Sequence, residues 1–289
     1  MRSILVPVSG TNSDSAVLAA AFTVAAPLKS HLDFVHVPIC EIEPSDYNHH
    51  IEFARGSGVE TALKETLLST QDAAAKARAH VADYCTSKSM HWASYPGAFD
   101  RVTASWISGL APFGIEGLVK AGRAHDLSVV ARSAGGRSWS RNLLEALATE
   151  TGRPVLIVPS DCREMALGTI AVWWKDHAAA GRVVTAALPL LRAAESVVLL
   201  NVPEDDNSRS DMLSDLSDQL GWNGVDATVE IHDRGHHTTV RALWSASLAR
   251  QADVVVMGGY SRSRIKEMVF GGCTQSVLDG GARPVFMLH

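Results

Sequence analysis

Two stretches of this chain, residues 3–37 and 168–202, are written to one plan. SILVPVSGTNSDSAVLAAAFTVAAPLKSHLDFVHV and GTIAVWWKDHAAAGRVVTAALPLLRAAESVVLLNV share four features in order. Each gives an apolar run, a polar loop, a helical pattern with an alanine-rich face and a Pro-Leu near its end, and a second apolar run. That is a βαβ unit, met twice. The parallel continues further on, where AHDLSVVAR (124–132) matches RQADVVVMG (250–258) and RPVLIVP (153–159) matches RPVFMLH (283–289). Two copies of one unit account for nearly the whole chain, with the breaker-led PSDCREMAL (159–167) between them.

Hydrophobic periodicity places the elements of the first copy. Strands are expected at Ser3–Val8, Asp33–Val37, Val102–Ile107, Leu127–Ala131 and Val155–Val158. Helices are expected over Asp14–Lys29, capped by Asn12 or Ser13, and over Gly58–Thr86, Phe113–His125 and Trp139–Glu150. Residues 39–56 read as a loop. In the second copy the strands fall at Thr169–Trp174, Ser196–Val202, Asp226–His232, Val254–Met257 and Val285–Leu288. Its helices fall at Ala178–Ala194, Asp211–Leu220, Thr238–Gln251 and Ser263–Gly280. Apolar strands alternating with helices give an α/β protein with helices on both faces of parallel sheets. The expectation is two tandem, doubly wound, five-stranded domains, 1–159 and 160–289, packed as an intrachain pseudo-dimer. A homodimer of such chains is a further option. Ligands of such sheets bind past the carboxyl ends of the strands, where strand order reverses.

Composition excludes several classes of function. Apolar residues make up 46% of the chain, enough for two cores, and the net charge is −5 with no Lys/Arg-rich block. Nucleic acid and anionic membrane surfaces are therefore not expected partners. No apolar run approaches the roughly 18 residues of a membrane helix. SGTNSDS (9–15) splits the N-terminal apolar run, so a strand, loop and helix explain it better than a signal peptide, and a cytoplasmic protein is expected. Cys40, Cys85, Cys162 and Cys273 are scattered without C-x-x-C spacing and read as free thiols. His49-His50 and HDRGHH (232–237) lack the companions of a metal site and read as polar loops. His36 ends a buried strand and reads as a hydrogen-bonded core or cleft histidine. The patterns G-x-S-x-G, G-x4-G-K-[ST] and G-x-G-x-x-G are all absent.

The chemistry-bearing stretch is ADVVVMGGYSRSRIKEMVFGGCTQSVLDGGARPVFMLH, from Ala252 to His289. A buried strand that ends in glycines and feeds a helix offers backbone N–H groups and a helix dipole to an anion. Gly258, Ser261, Gly271 and Gly272 are spaced G-x-x-S-x9-G-G. This resembles the G-x-x-G-x9-G-[ST] signature of the universal stress protein family. Ser261 stands where the second glycine is usual, and Gly272 where the Ser/Thr hydroxyl is usual. ILVPVSG, the His-Val and Asn-Val after each second strand, and each RPV strand extend the resemblance over essentially the whole chain.

The resemblance implies a Rossmann-like, adenine nucleotide alpha hydrolase-like fold and, in the second copy, a site for ATP or ADP, with or without Mg. Adenine would lie against Trp173, Trp174 and Lys175, and the backbone of Val202 would hold the base edge. The phosphates would sit on Met257, Gly258, Gly259 and Ser261 and on Gly271, Gly272 and Cys273. Lys175 replaces the family's usual Asp; it pairs with phosphate or sits at a solvated strand end. The first copy departs further, with Ser9 at its own Asp position, Arg132 at the first loop glycine and no G-x9-G spacing, so it is expected to bind no nucleotide. The role implied is a stress-response binding and signalling module with an unidentified protein partner, at most a slow ATPase. Two other readings compete. One is a scaffold or small-ligand binder without nucleotide. The other is an ATP-pyrophosphatase-type enzyme, whose S-G-G-x-D-S loop VSGTNSDS loosely echoes.

Overall fold

A computed structural model describes residues 1–11, 14–37, 57–93, 95–97, 99–108, 114–132, 138–203, 211–259 and 272–289, with main chain alone at 57–70, 138–140 and 211–212. The first half runs β1 (Ser3–Val8), α1 (Asp14–Leu28), β2 (His31–His36), α2 (Ser57–Ser87), β3 (His91–Trp92), β4 (Thr103–Ile107), α3 (Gly114–Arg123), β5 (Leu127–Arg132), α4 (Ser138–Glu150) and β6 (Val155–Pro159). The second runs β7 (Thr169–Trp173), α5 (Ala178–Leu191), β8 (Ser196–Asn201), α6 (Asp211–Trp222), β9 (Ala227–Ile231), α7 (Thr239–Ala249), β10 (Val254–Gly258), α8 (Gly272–Asp279) and β11 (Val285–Leu288). The expected strands all form. The two-residue β3 is an addition that the sequence did not announce. The expected loop 39–56, the caps Asn12 and Ser13, and the start of the Ser263–Gly280 helix lie outside the described residues.

All strands join one sheet in the order β3-β4-β2-β1-β5-β6-β11-β10-β7-β8-β9. Every pairing is parallel except β6 with β11, where Val285, Phe286 and Met287 run antiparallel to Ile157, Leu156 and Val155. Each half thus repeats one strand order, read outward from that joint. The expected five-stranded sheets are fused edge to edge, with β3 added at one end.

Strand alternation sends successive side chains to opposite faces, and both faces are covered. Ile4, Val6, Val172 and Leu199 pack with Val17 and Val24 of α1, Val81 of α2, Val183 and Leu190 of α5, and Leu220 of α6. Leu5, Val130, Ala171 and Met257 pack with Leu118 of α3, Leu144 and Leu147 of α4, Leu243 of α7, and Val277 of α8. The arrangement is a helix layer, a sheet and a second helix layer, doubly wound.

One polar network crosses this second interface. Asp33 on β2 receives His125 Nε2 at 2.9 Å and His31 Nε2 at 3.1 Å, and the Ser105 hydroxyl of β4 donates to it. His125 Nδ1 lies 2.7 Å from the carbonyl of Ala121 at the end of α3. Both His125 nitrogens thus face groups that accept, an arrangement that favours the doubly protonated, positively charged ring. Burial opposes that charge, but the bonds to Asp33 and Ala121 and the nearby carboxylates outweigh it and raise the His125 pKa. For Asp33, burial is likewise outweighed by the bonds from His125, His31 and Ser105, which hold its carboxyl far below the usual range.

Candidate functional site

The chain reverses its order of strand addition between β7 and β10, and again between β1 and β5. Each such point opens a crevice past the carboxyl ends of the strands. At the β7–β10 crevice, Trp173 ends β7 in register with Leu200 of β8 and Met257 of β10. The chain then turns into α5, whose first turn is capped by His177, with Nδ1 accepting from the N–H of Ala179 at 3.3 Å.

Gly258, the last residue of β10, lies directly on that turn. A Cβ built there would stand 2.7 Å from the backbone nitrogen of Ala180 and 2.8 Å from the carbonyl carbon of Ala179. Only glycine allows this approach. The next residue, Gly259, donates its N–H to the Leu288 carbonyl at 2.8 Å, tying the exit of β10 to β11.

The other expected site residues are placed as follows. Trp173 is 4% exposed; its indole N–H donates to Ser247 Oγ at 2.8 Å and its ring meets Trp244 edge-on at 4.8 Å. The Trp173 ring therefore belongs to the core under α7, and its main chain is what faces the crevice. Trp174 points to the opposite face. Its backbone bonds Leu200 and Asn201, while its Nε1 is buried without a partner. It lines a groove of about 350 Å³ with Gly181, Val184, Thr185, Asp215 and Leu216 between α5 and α6. Lys175 is exposed, and Val202 and Met257 are buried. Gly272 opens α8 with nothing among the described residues within 4 Å of its would-be Cβ, and Cys273 follows, half-buried. Ser261 and Gly271 lie outside the described residues. The register and the Gly258 contact therefore bring together Trp173, Met257, Gly258 and the first turn of α5, and Gly272 and Cys273 open α8.

Three groups at this crevice escaped sequence reasoning. His289 follows β11, and its pKa is pushed down by burial and then by the charges of Arg182 and His177. His177 at the cap of α5, Arg182 within α5 and His289 after β11 thus lie near one another beside the start of a helix. The signal was half visible, since a polar residue right after the first strand is a helix cap. His289, more than a hundred residues away in sequence, was not.

The β1–β5 crevice is built differently. Asp14, the first residue of α1, is 3% exposed, and its carboxylate folds back over the loop. Oδ1 accepts from the Ser9 N–H and hydroxyl, both at 2.9 Å, and Oδ2 from the Gly10 N–H at 2.7 Å. The donors that would cradle a phosphate here are filled by the chain's own carboxylate. This weighs against the pyrophosphatase reading of VSGTNSDS. His36 beside it is buried, with Nε2 lacking a partner; burial lowers its pKa against the opposing charge of Asp14. Arg132 ends β5, and its guanidinium crosses to the second half and bonds the carbonyls of Val277 and Gly281.

Among the described residues no cluster of three or more His, Cys, Asp or Glu could hold a metal ion, and no helix is long and apolar enough to cross a membrane.

A doubly wound sheet with two switch-point crevices defines a class of α/β binding fold, and comparison with known proteins narrows it. No family model and no curated protein matches the chain. Solved structures do. A universal stress protein from Archaeoglobus fulgidus DSM 4304 superposes with a TM-score of 0.67 at 16% identity, over 99% of this chain and 97% of that one. A putative universal stress protein from Pseudomonas aeruginosa UCBPP-PA14 gives 0.53 at 13% identity, over 100% and 93%. A functionally unknown protein from Pseudomonas aeruginosa PAO1 gives 0.53 at 13%, over 100% and 92%. The fold is that of the universal stress proteins.

Proposed function

We propose that the chain is a tandem universal stress protein, a binding and signalling module that takes one adenine nucleotide, ATP or ADP, in its 160–289 half. The observation that carries this reading is the close approach of Gly258, the glycine end of β10, to the first turn of α5 at the β7–β10 switch point. Main chain at the ends of β7 and β8 is the natural surface for a base, and this reading assigns Lys175 and the start of α8 to the phosphates. The 1–159 half contributes no second nucleotide, because Asp14 and Arg132 occupy its crevice and its loop glycine position. The reading includes no catalytic residue, so turnover is expected to be slow, and a cytoplasmic setting fits it.

The test is nucleotide content of the purified protein, followed by titration with ATP and magnesium. About one ATP per chain is expected. Arg182→Ala, at an exposed position, should weaken binding about tenfold, the worth of one charge-assisted contact. The His289 imidazole, followed by NMR, should titrate at higher pH once nucleotide is bound. Two nucleotides per chain would overturn the one-site assignment. No binding at millimolar ATP would replace the nucleotide reading with that of a nucleotide-free scaffold.

A further inference from the structure

Arg132 is the last residue of β5 and is 7% exposed. A buried guanidinium is costly unless its donors are bonded. Here Nη1 donates to the Val277 carbonyl at 2.8 Å and Nη2 donates to the Gly281 carbonyl. Val277 lies in the last turn of α8, where carbonyls have no partner within the helix. A cation at that end also sits favourably in the helix dipole. The arginine is thus a C-terminal cap, supplied to α8 by the other half of the chain.

Two further contacts fix the same end. Arg141 of α4, also from the first half, ion-pairs with Asp279, the last residue of α8, while bonding Glu145 at 2.8 Å. Gly281 sits at φ +133, and a Cβ there would stand 2.7 Å from the Trp244 ring, so the exit of α8 has little room to shift. The support runs one way. The residue that corresponds to Arg132 in the second half is Gly258, which has no side chain to return the contact and faces α5.

We infer that Arg132 is a positioning residue for the proposed nucleotide site. It holds the C-terminal end of α8 so that the opposite end, at Gly272 and Cys273, presents its N–H groups to phosphate. This rests on the nucleotide reading above. It gives the half that binds no nucleotide a task in binding: the position at which the family's loop glycine is lost carries the side chain that aims the partner half's helix.

The experiment compares the full chain with Arg132→Met, which keeps the length and removes the donors, and Arg132→Lys, which keeps one donor. Amide hydrogen exchange over residues 272–281 without nucleotide reads the clasp; ATP affinity in magnesium reads its consequence. Arg132→Met should exchange about tenfold or more faster in this segment and bind ATP about tenfold more weakly, with Arg132→Lys between it and the parent on both scales. Unchanged exchange in Arg132→Met would show that the guanidinium does not hold α8. Faster exchange with parental ATP affinity would keep the clasp and overturn the positioning role. A parent chain that binds no ATP would sink the nucleotide reading and the positioning role together, while the exchange measurement alone still decided the clasp. If Arg132→Met does not fold, Arg132→Lys against the parent carries the same comparison.

Discussion

Gly258→Val should unfold at markedly lower urea than the parent, and even Gly258→Ala should lose about 3 kcal/mol, the upper range for forcing atoms into a packed site. The atoms in the way are main chain of the first α5 turn, at 2.7 and 2.8 Å from the new Cβ. They cannot rotate aside as a flexible side chain would. Moving β10 instead would break its pairings with β7 and β11, which run through Val255, Val256 and Met257. Gly272 is the control, since nothing among the described residues lies within 4 Å of its Cβ position. Gly272→Ala should be neutral or stabilise α8 by up to about 1 kcal/mol, the difference in helix propensity. Urea midpoints of the three variants check this, and a parental midpoint for Gly258→Val would remove the close-contact account. A consequence for function follows. Loss of nucleotide in a Gly258 variant would report a displaced strand as readily as a lost phosphate contact, so Arg182 and Gly272 are the better probes.

The second large effect is at Asp33. Asp33→Ala strips both His125 and His31 of their carboxylate and should cost about 3 kcal/mol, the lower range for breaking a buried charge pair, since His125 can shed its proton. The pH dependence has a defined sign. The His125 pKa is raised above its ordinary 6.5, so its contribution is complete below pH 6.5 and fades as pH rises through the folded-state value. The Asp33 pKa is lowered from 3.8, so its contribution is complete above pH 3.8 and fades as pH falls below it. The pair therefore stabilises most between these two values. Stability of the parent, measured by urea unfolding at successive pH, should decline on the alkaline side of that window. Asp33→Ala and His125→Ala should flatten that decline. An alkaline slope identical in parent and His125→Ala would show that the ring is neutral.

Most of the architecture was legible because each strand is a run of apolar residues and each helix has a 3.6-residue pattern. The errors lie where chemistry is carried by contacts distant in sequence. Three helices end on residues with positive φ that are not glycine, Lys29, Ser89 and Gln251, so their stops carry no glycine signal. The two-residue β3 is too short to show alternation. At the site, Gly258 stood out as the glycine end of a buried strand, but its neighbour, the first turn of α5, needed coordinates. Trp173 looked available for a base because it ends a strand, but its ring is drawn under α7 by the bond to Ser247. Asp14 and Arg132 could be seen as polar residues near loops. Their partners, Ser9 and Gly10 in one case and Val277 and Gly281 in the other, needed coordinates.

The antiparallel joint between β6 and β11 also sets a clock during synthesis. β6 is complete once Pro159 has emerged, but its partner is not translated until residues 160–284 have followed. At about 5–20 residues per second that interval is on the order of ten seconds. Throughout it, VLIVP presents an open row of backbone donors and acceptors, flanked by apolar side chains. A neighbouring nascent chain on the same message carries an identical row, and two such rows pair antiparallel about a twofold axis. The seam that makes one sheet of two halves is thus the last to close, and the place where chains in a polysome can exchange partners.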